Sequence, residues 1–150
     1  MKLLLCGPPG VGKTTVAERL LDRLRRVGND FRVLHSDDFS RDTYGKLYER
    51  VTAAGPETNW LVDGTFYRRE WQDRFRSLPD AYLVYLTASL DTALERNRER
   101  EDAIPERGVR AMHGKFEGPR QSDLRLDTEE LSVTESVDAL ERYVLTWFER

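Results

Sequence analysis

Short apolar runs alternate with longer amphipathic stretches along this chain, the pattern of an α/β protein built on a parallel sheet. Lys2–Cys6 predicts a first strand. Val16, Leu20, Leu21, Leu24 and Val27 then recur at helical spacing over a helix from about Gly12 to Val27, ended by Gly28-Asn29. Arg32–His35 predicts a second strand, followed by a polar loop over Ser36–Asp42 and a helix over Tyr44–Ala54 that Gly55-Pro56 stops. Trp60–Asp63 predicts a third strand broken by Gly64, then a short helix over Arg68–Arg76. Ala81–Leu86 is a nearly continuous apolar run, which predicts a fourth strand buried on both faces. Ser89 or Asp91 caps a helix that runs into the charged segment Glu95–Asp102, and Pro105 opens another that ends near Gly118-Pro119. Leu124–Asp127 predicts a fifth strand, and Ser132–Phe148 a last helix with a capping box of Ser132 and Glu135. Five strands and their helices use up the 150 residues, so a single domain over 1–150 is expected.

Composition narrows the functional classes. Apolar residues make up 39% and charged residues 34%, a globular balance with a very polar surface. The net charge of −3 excludes general polyanion binding, so any nucleic-acid contact must come from a local basic patch. The one cysteine, Cys6, sits in an apolar run with no partner at metal-ligand spacing, which fits a buried strand residue and a reducing cytoplasm. Met1–Cys6 is too short an apolar run for a signal peptide or a membrane span, so no membrane partner is expected. Four lysines stand against 20 arginines, which makes Lys13 conspicuous.

Lys13 belongs to Gly7-Pro8-Pro9-Gly10-Val11-Gly12-Lys13-Thr14, which satisfies G-x-x-x-x-G-K-[ST] between an apolar strand and an amphipathic helix. A chance match in a chain of this length has a probability of roughly 1%. The residue types suit a phosphate-binding loop: glycines let backbone N–H groups turn inward around a phosphate, and the helix start adds unpaired N–H groups. Lys13 carries a movable charge to the β- and γ-phosphates, the Thr14 hydroxyl can ligate Mg²⁺, and Thr15 follows on the same turn. No N-K-x-D guanine-reading motif is present, and Asp63 is followed by Gly64 and Thr65 rather than a water-activating Glu. These features favour phosphoryl transfer from ATP to a bound acceptor over hydrolysis.

Ligands of open α/β sheets bind beyond the carboxyl ends of the strands, where Asp37-Asp38 follow the second strand. Asp37 or Asp38 is the candidate base or Mg²⁺ group, with Asp37 preferred for the metal. Asp63 is a candidate Mg²⁺ residue; the alternative is a turn before Gly64. Arg96 and Arg100, four residues apart, are read as sharing a helix face that can close over the transferring phosphoryl group; the alternative is a solvated face among Glu95, Glu99 and Glu101. Arg68 and Arg69, with Phe66 or Tyr67 as a stacking wall, point to the acceptor side, and Arg41 is a weaker acceptor candidate; the alternatives are core packing for Phe66 and a surface charge for Arg69. His35 and His113 are isolated and read as structural or exposed.

These segments resemble the P-loop kinase group that includes L-seryl-tRNA(Sec) kinase, the Kti12-type tRNA-modification factors and, more distantly, adenylylsulfate kinase. The resemblance is carried by Gly7–Thr14, His35–Asp38, Val62–Tyr67 with Arg68 and Arg69, Arg96–Arg100, and Ile104-Pro105-Glu106 leading to Lys115–Pro119. It implies a P-loop NTPase three-layer α/β/α sandwich, a five-stranded parallel sheet in the order 2-3-1-4-5, and a mobile lid over about 96–118 holding Arg96 and Arg100. It implies ATP and Mg²⁺ as cofactors, and a small nucleotide-like or aminoacyl hydroxyl acceptor, with adenylylsulfate and seryl-tRNA as the named options. Transfer RNA is a possible partner, but no dedicated tRNA-binding domain is expected, and the chain is expected to be a monomer or homodimer. The alternative function is an ATP-binding regulatory factor of the Kti12 type with slow hydrolysis.

Overall fold

The apolar strand Lys2–Cys6 (β1) lies at the centre of a five-stranded sheet in the computed structural model, which describes residues 1–150. Trp60–Gly64 (β3) and Ala81–Thr87 (β4) flank it, with Arg32–His35 (β2) and Leu124–Asp127 (β5) at the edges. Every neighbouring pair is parallel and the order is β2-β3-β1-β4-β5. The helices are Lys13–Arg26 (α1), Thr43–Ala53 (α2), Arg69–Arg76 (α3), Leu90–Glu99 (α4), Glu106–Lys115 (α5) and Val133–Phe148 (α6).

The period-two geometry of β1 divides the core between two helical layers. Leu3 and Leu5 pack with Val16, Leu20 and Leu24 of α1 and Val137, Leu140 and Val144 of α6. Leu4 and Cys6 face the other way, against Tyr44, Leu47 and Val51 of α2 and Phe75 of α3. Leu3–Cys6 of β1 and all of β3 are buried on both faces, whereas Ala81, Tyr82, Tyr85 and Thr87 of β4 stay only half-buried, so the expected double burial of β4 holds for Leu83, Val84 and Leu86 alone. Each fully buried leucine contributes about 1.5–3 kcal/mol. A third cluster of Ala93, Leu94 and Val109 joins α4 to α5, outside the sheet layers.

Several boundaries differ from the sequence reading. β3 does not break at Gly64: the residue stays in register with Cys6, and a Cβ there would stand 3.2 Å from Ser36 Cβ and the Tyr44 hydroxyl. The polar loop after β2 opens with a 3-10 turn over Ser36–Asp38. Ser89, not Asp91, caps α4, accepting from Thr92 N. The helix then ends at Glu99 instead of running through Asp102, because Arg100 is extended (φ −83°, ψ 143°) and Asn97 pairs with both Ile104 N and Ile104 O. The helix opened by Pro105 stops at Lys115, short of Gly118. Glu117 N donates to Tyr67 O, and Gln72 Nε2 donates to Glu117 O at 2.7 Å, so that segment is held extended against α3. The capping box of Ser132 and Glu135 forms as expected.

Candidate functional site

The turn from β1 into α1 is shaped by its glycines. Gly12 opens α1 in the left-handed region (φ 94°), a conformation that disfavours side chains. Gly10 also has positive φ (83°), and a Cβ on it would lie 2.9 Å from Ala93 of α4. The first turn of α1 carries no acidic residue, which leaves its positive dipole end free for an anion, while Arg23, Arg25 and Arg26 occupy the last turn.

Around this turn lies a cleft of about 560 Å³ that brings together Pro9, Gly10, Gly12, Lys13, Thr14, Thr15, Ser36, Asp37, Asp63, Thr65, Arg96, Arg100, Asp102 and Ile104. Thr14 Oγ1 donates to Asp63 Oδ2 at 3.0 Å, and His35 Nδ1 lies 3.0 Å from the same oxygen. Asp63 is buried at the end of β3, beside β1. Lys13 Nζ bonds Gly7 O at 2.7 Å and Pro8 O at 3.0 Å. Burial pushes the Lys13 ammonium below its ordinary value; the Asp63 carboxylate opposes this most strongly, with Asp37 acting in the same sense and Arg100 against it. Burial pushes the Cys6 thiol up to about 12, so this cysteine stays neutral beneath the loop.

Arg96 and Arg100 do not share a helix face, since Arg100 lies beyond the end of α4. Both nevertheless line the cleft. Arg96 donates to Gly10 O (3.3 Å), Thr128 Oγ1 (2.9 Å) and Thr128 O (2.7 Å), tying α4 to the loop and to the turn after β5. Arg100 pairs with Asp102 at 3.0 Å. Of the two aspartates after β2, Asp37 lines the cleft and Asp38 does not.

The acceptor-side candidates separate as well. Phe66 is fully buried against Tyr44 and Phe75, so it is a core residue and not a stacking wall. Its φ of 49° is held by a bond from its N–H to the Tyr44 hydroxyl and by Gln72 Nε2 on its carbonyl, each 2.7 Å. Tyr67 and Arg68 line a separate open groove of about 520 Å³ with Glu70, Lys115 and Glu117. Arg69 is committed to Gly118 O through Nε at 2.8 Å. Arg41 is exposed and lines neither space.

Residue types alone gave no sign of Thr128 or His113. Thr128 Oγ1 donates to Val11 O at 2.8 Å, and His113 Nε2 lies 2.9 Å from Pro9 O. Both histidines are half-buried and hydrogen-bonded, the structural of the two alternatives read from the sequence: His35 meets Asp63 and His113 meets the loop. The carboxyl-end rule points to His35, Ser36, Thr65 and Thr128 by position, whereas nothing local marks His113. A second cleft of about 580 Å³ adjoins the first across Gly12, Thr15 and Arg96 and reaches Thr128–Val133. Ser136 lines it with a buried hydroxyl that has no protein partner. No group of three or more His, Cys, Asp or Glu side chains is placed to hold a metal. No helix is long and apolar enough to cross a membrane.

A family model described as an AAA domain matches residues 3–119. The chain belongs to this AAA-domain family. This AAA-domain chain is 27% identical over 155 residues to the L-seryl-tRNA(Sec) kinase of Methanococcus maripaludis, an alignment spanning 87% of the chain and 60% of that protein's length. Kti12 of Chaetomium thermophilum, solved with ADP-AlF3, superposes with a TM-score of 0.74 at 18% identity, over 97% of this chain and 98% of that one. The APS kinase CysC of Mycobacterium tuberculosis, solved with AMPPNP and APS, superposes with a TM-score of 0.73 at 18% identity, over 99% and 97%. The AAA-domain chain thus has the fold of a P-loop kinase-like group, with the sheet order that the family resemblance implied.

Proposed function

We propose that this protein is a Mg²⁺- and ATP-dependent phosphotransferase that moves the γ-phosphate of ATP onto a hydroxyl of a small nucleotide-like or aminoacyl acceptor. The observation that carries the reading is the Thr14–Asp63 bond at the floor of a cleft that also holds Lys13, Asp37 and Arg100. Lys13 is held only by loop carbonyls, which a phosphate oxygen can replace. Thr14 and Asp63 offer the oxygen donors a hard cation prefers, and with no three-residue metal cluster present the triphosphate and water must complete its shell. Bound Mg²⁺ would neutralise phosphate charge there. Asp37 is assigned to accept the acceptor hydroxyl's proton or to hold the metal's water, and Arg100 to stabilise charge spread over the transferring group.

The second cleft is assigned to the nucleoside, with Arg96 on the ridge between base and phosphates and the unpartnered Ser136 hydroxyl on its wall. The acceptor is assigned to the groove of Tyr67, Arg68 and Lys115, beyond the end of β3, where Arg68 lies over the Tyr67 ring at 5.5 Å. Glu70 and Glu117 balance Arg68 and Lys115 in this groove, so its lining offers both donors and acceptors to a polar acceptor. Residues 1–150 act as one kinase domain in this reading, with segment 96–118 as its lid. The L-seryl-tRNA(Sec) kinase similarity supports an aminoacyl acceptor. The APS kinase fold supports a nucleotide-like one.

ATP labelled in the γ-phosphate, incubated with seryl-tRNA, adenylylsulfate and chemically related hydroxyl acceptors, tests the assignment. Label is expected in one acceptor. Label recovered only as inorganic phosphate with every acceptor contradicts it and favours a nucleotide-driven binding factor of the Kti12 type.

A further inference from the structure

Each carbonyl oxygen from Gly7 to Val11 is taken by a side chain. Lys13 takes Gly7 O and Pro8 O, His113 meets Pro9 O, Arg96 takes Gly10 O, and Thr128 takes Val11 O. In a trans peptide unit the C=O and N–H point to opposite sides. Carbonyls held by side chains therefore fix the direction of the amides that must face a phosphate chain. Pro8 and Pro9 supply no N–H, so the cradle begins at Gly10 N–H. That N–H shares its peptide unit with Pro9 O. The unit precedes a residue at positive φ with no Cβ, so backbone sterics oppose its flipping less than they would elsewhere.

We propose that His113 is a positioning residue of the nucleotide site: from α5 it fixes the Pro9–Gly10 peptide so that Gly10 N–H faces the phosphates. A carbonyl only accepts, so Nε2 donates, and it does so both in the neutral ring with its proton on Nε2 and in the imidazolium. The helix that carries His113 is seated by Val109 on Ala93 and Leu94, and the same Ala93 is the atom group against which Gly10 packs. The position of α5 and the conformation of the loop are thus read through one small contact. Lys13 must leave its carbonyls to reach a phosphate, whereas His113, Arg96 and Thr128 have no such conflict and hold the loop while the nucleotide is bound.

The inference rests on the nucleotide-binding reading above. Its test is calorimetric titration of a non-hydrolysable ATP analogue with Mg²⁺ into the parent, H113A, H113F and H113Q proteins. Loss of one donor predicts about fivefold weaker binding for H113A and H113F. The glutamine amide can donate to the same carbonyl, so H113Q is expected to recover most of the affinity. His113 is only half-buried on a surface helix, and the melting temperature without nucleotide is expected to fall by no more than a few degrees, equally for H113A and H113F. H113A binding as tightly as the parent, or H113Q binding as weakly as H113F, overturns the role of His113 and leaves the nucleotide site standing. A parent that does not bind the analogue overturns both.

Discussion

Asp63 Oδ2 serves two neighbours at 3.0 Å, Thr14 from the helix start and His35 from the adjacent strand. A buried carboxylate shared this way is oriented before any ligand arrives, which is the preorganisation a phosphoryl-transfer site needs. Asp37 faces the same cleft and Asp38 does not. D37N is therefore expected to lower γ-phosphate transfer by about 10²–10⁴-fold while leaving ATP affinity within a few fold, and D38N to leave both nearly unchanged; single-turnover label transfer separates them. A pH effect belongs to Glu129. The Ser89 side chain, with Thr92 and Ser89 N–H, holds its carboxyl down to about 2. A carboxyl whose folded pKa lies below its unfolded value of about 4.3 contributes stability above that value and loses it as pH falls toward 2. E129Q should flatten the acid limb of urea midpoints between pH about 4 and 2. At this scale the legible residues were those whose chemistry is local, Gly7 to Thr14. His113 escaped because its partner lies 104 residues away, whereas Thr128 is marked only by its place directly after β5.

The elements were legible where period and punctuation agreed. Leu20 and Leu24 sit on the buried stripe of α1, and Ser132 with Glu135 marks the start of α6. The end of α4 was not, because Glu95–Asp102 contains neither Gly nor Pro and the helix is stopped by a tertiary device, the Asn97 amide pairing with Ile104. That amide is buried and satisfied on both sides. N97A should free the Arg100–Ile104 loop at a cost of about 1–3 kcal/mol, seen as faster limited proteolysis within residues 100–105. The helix-face reading of Arg96 and Arg100 failed for the same reason, although the turn after Glu99 still leaves both against one cleft.

Across the whole molecule, strand alternation predicted a parallel sheet, but the order β2-β3-β1-β4-β5 came from the family resemblance, since pairing is non-local. That order sets β1 and β3 side by side and so brings Thr14 to Asp63 across 49 residues of chain. A ligand bridging the two clefts stabilises only the folded chain: a Mg²⁺-ATP analogue at 100 times its Kd should add about 2.7 kcal/mol and raise the melting temperature by several degrees, with chelation by EDTA removing most of the shift. The most direct test of the central claim, that residues 7–14 wrap a triphosphate, is the dissociation constant of Mg²⁺-ATP measured for the parent and K13A. The account predicts saturable one-to-one binding by the parent and at least tenfold weaker binding by K13A. No measurable association with the parent, or equal affinity for both proteins, would contradict it.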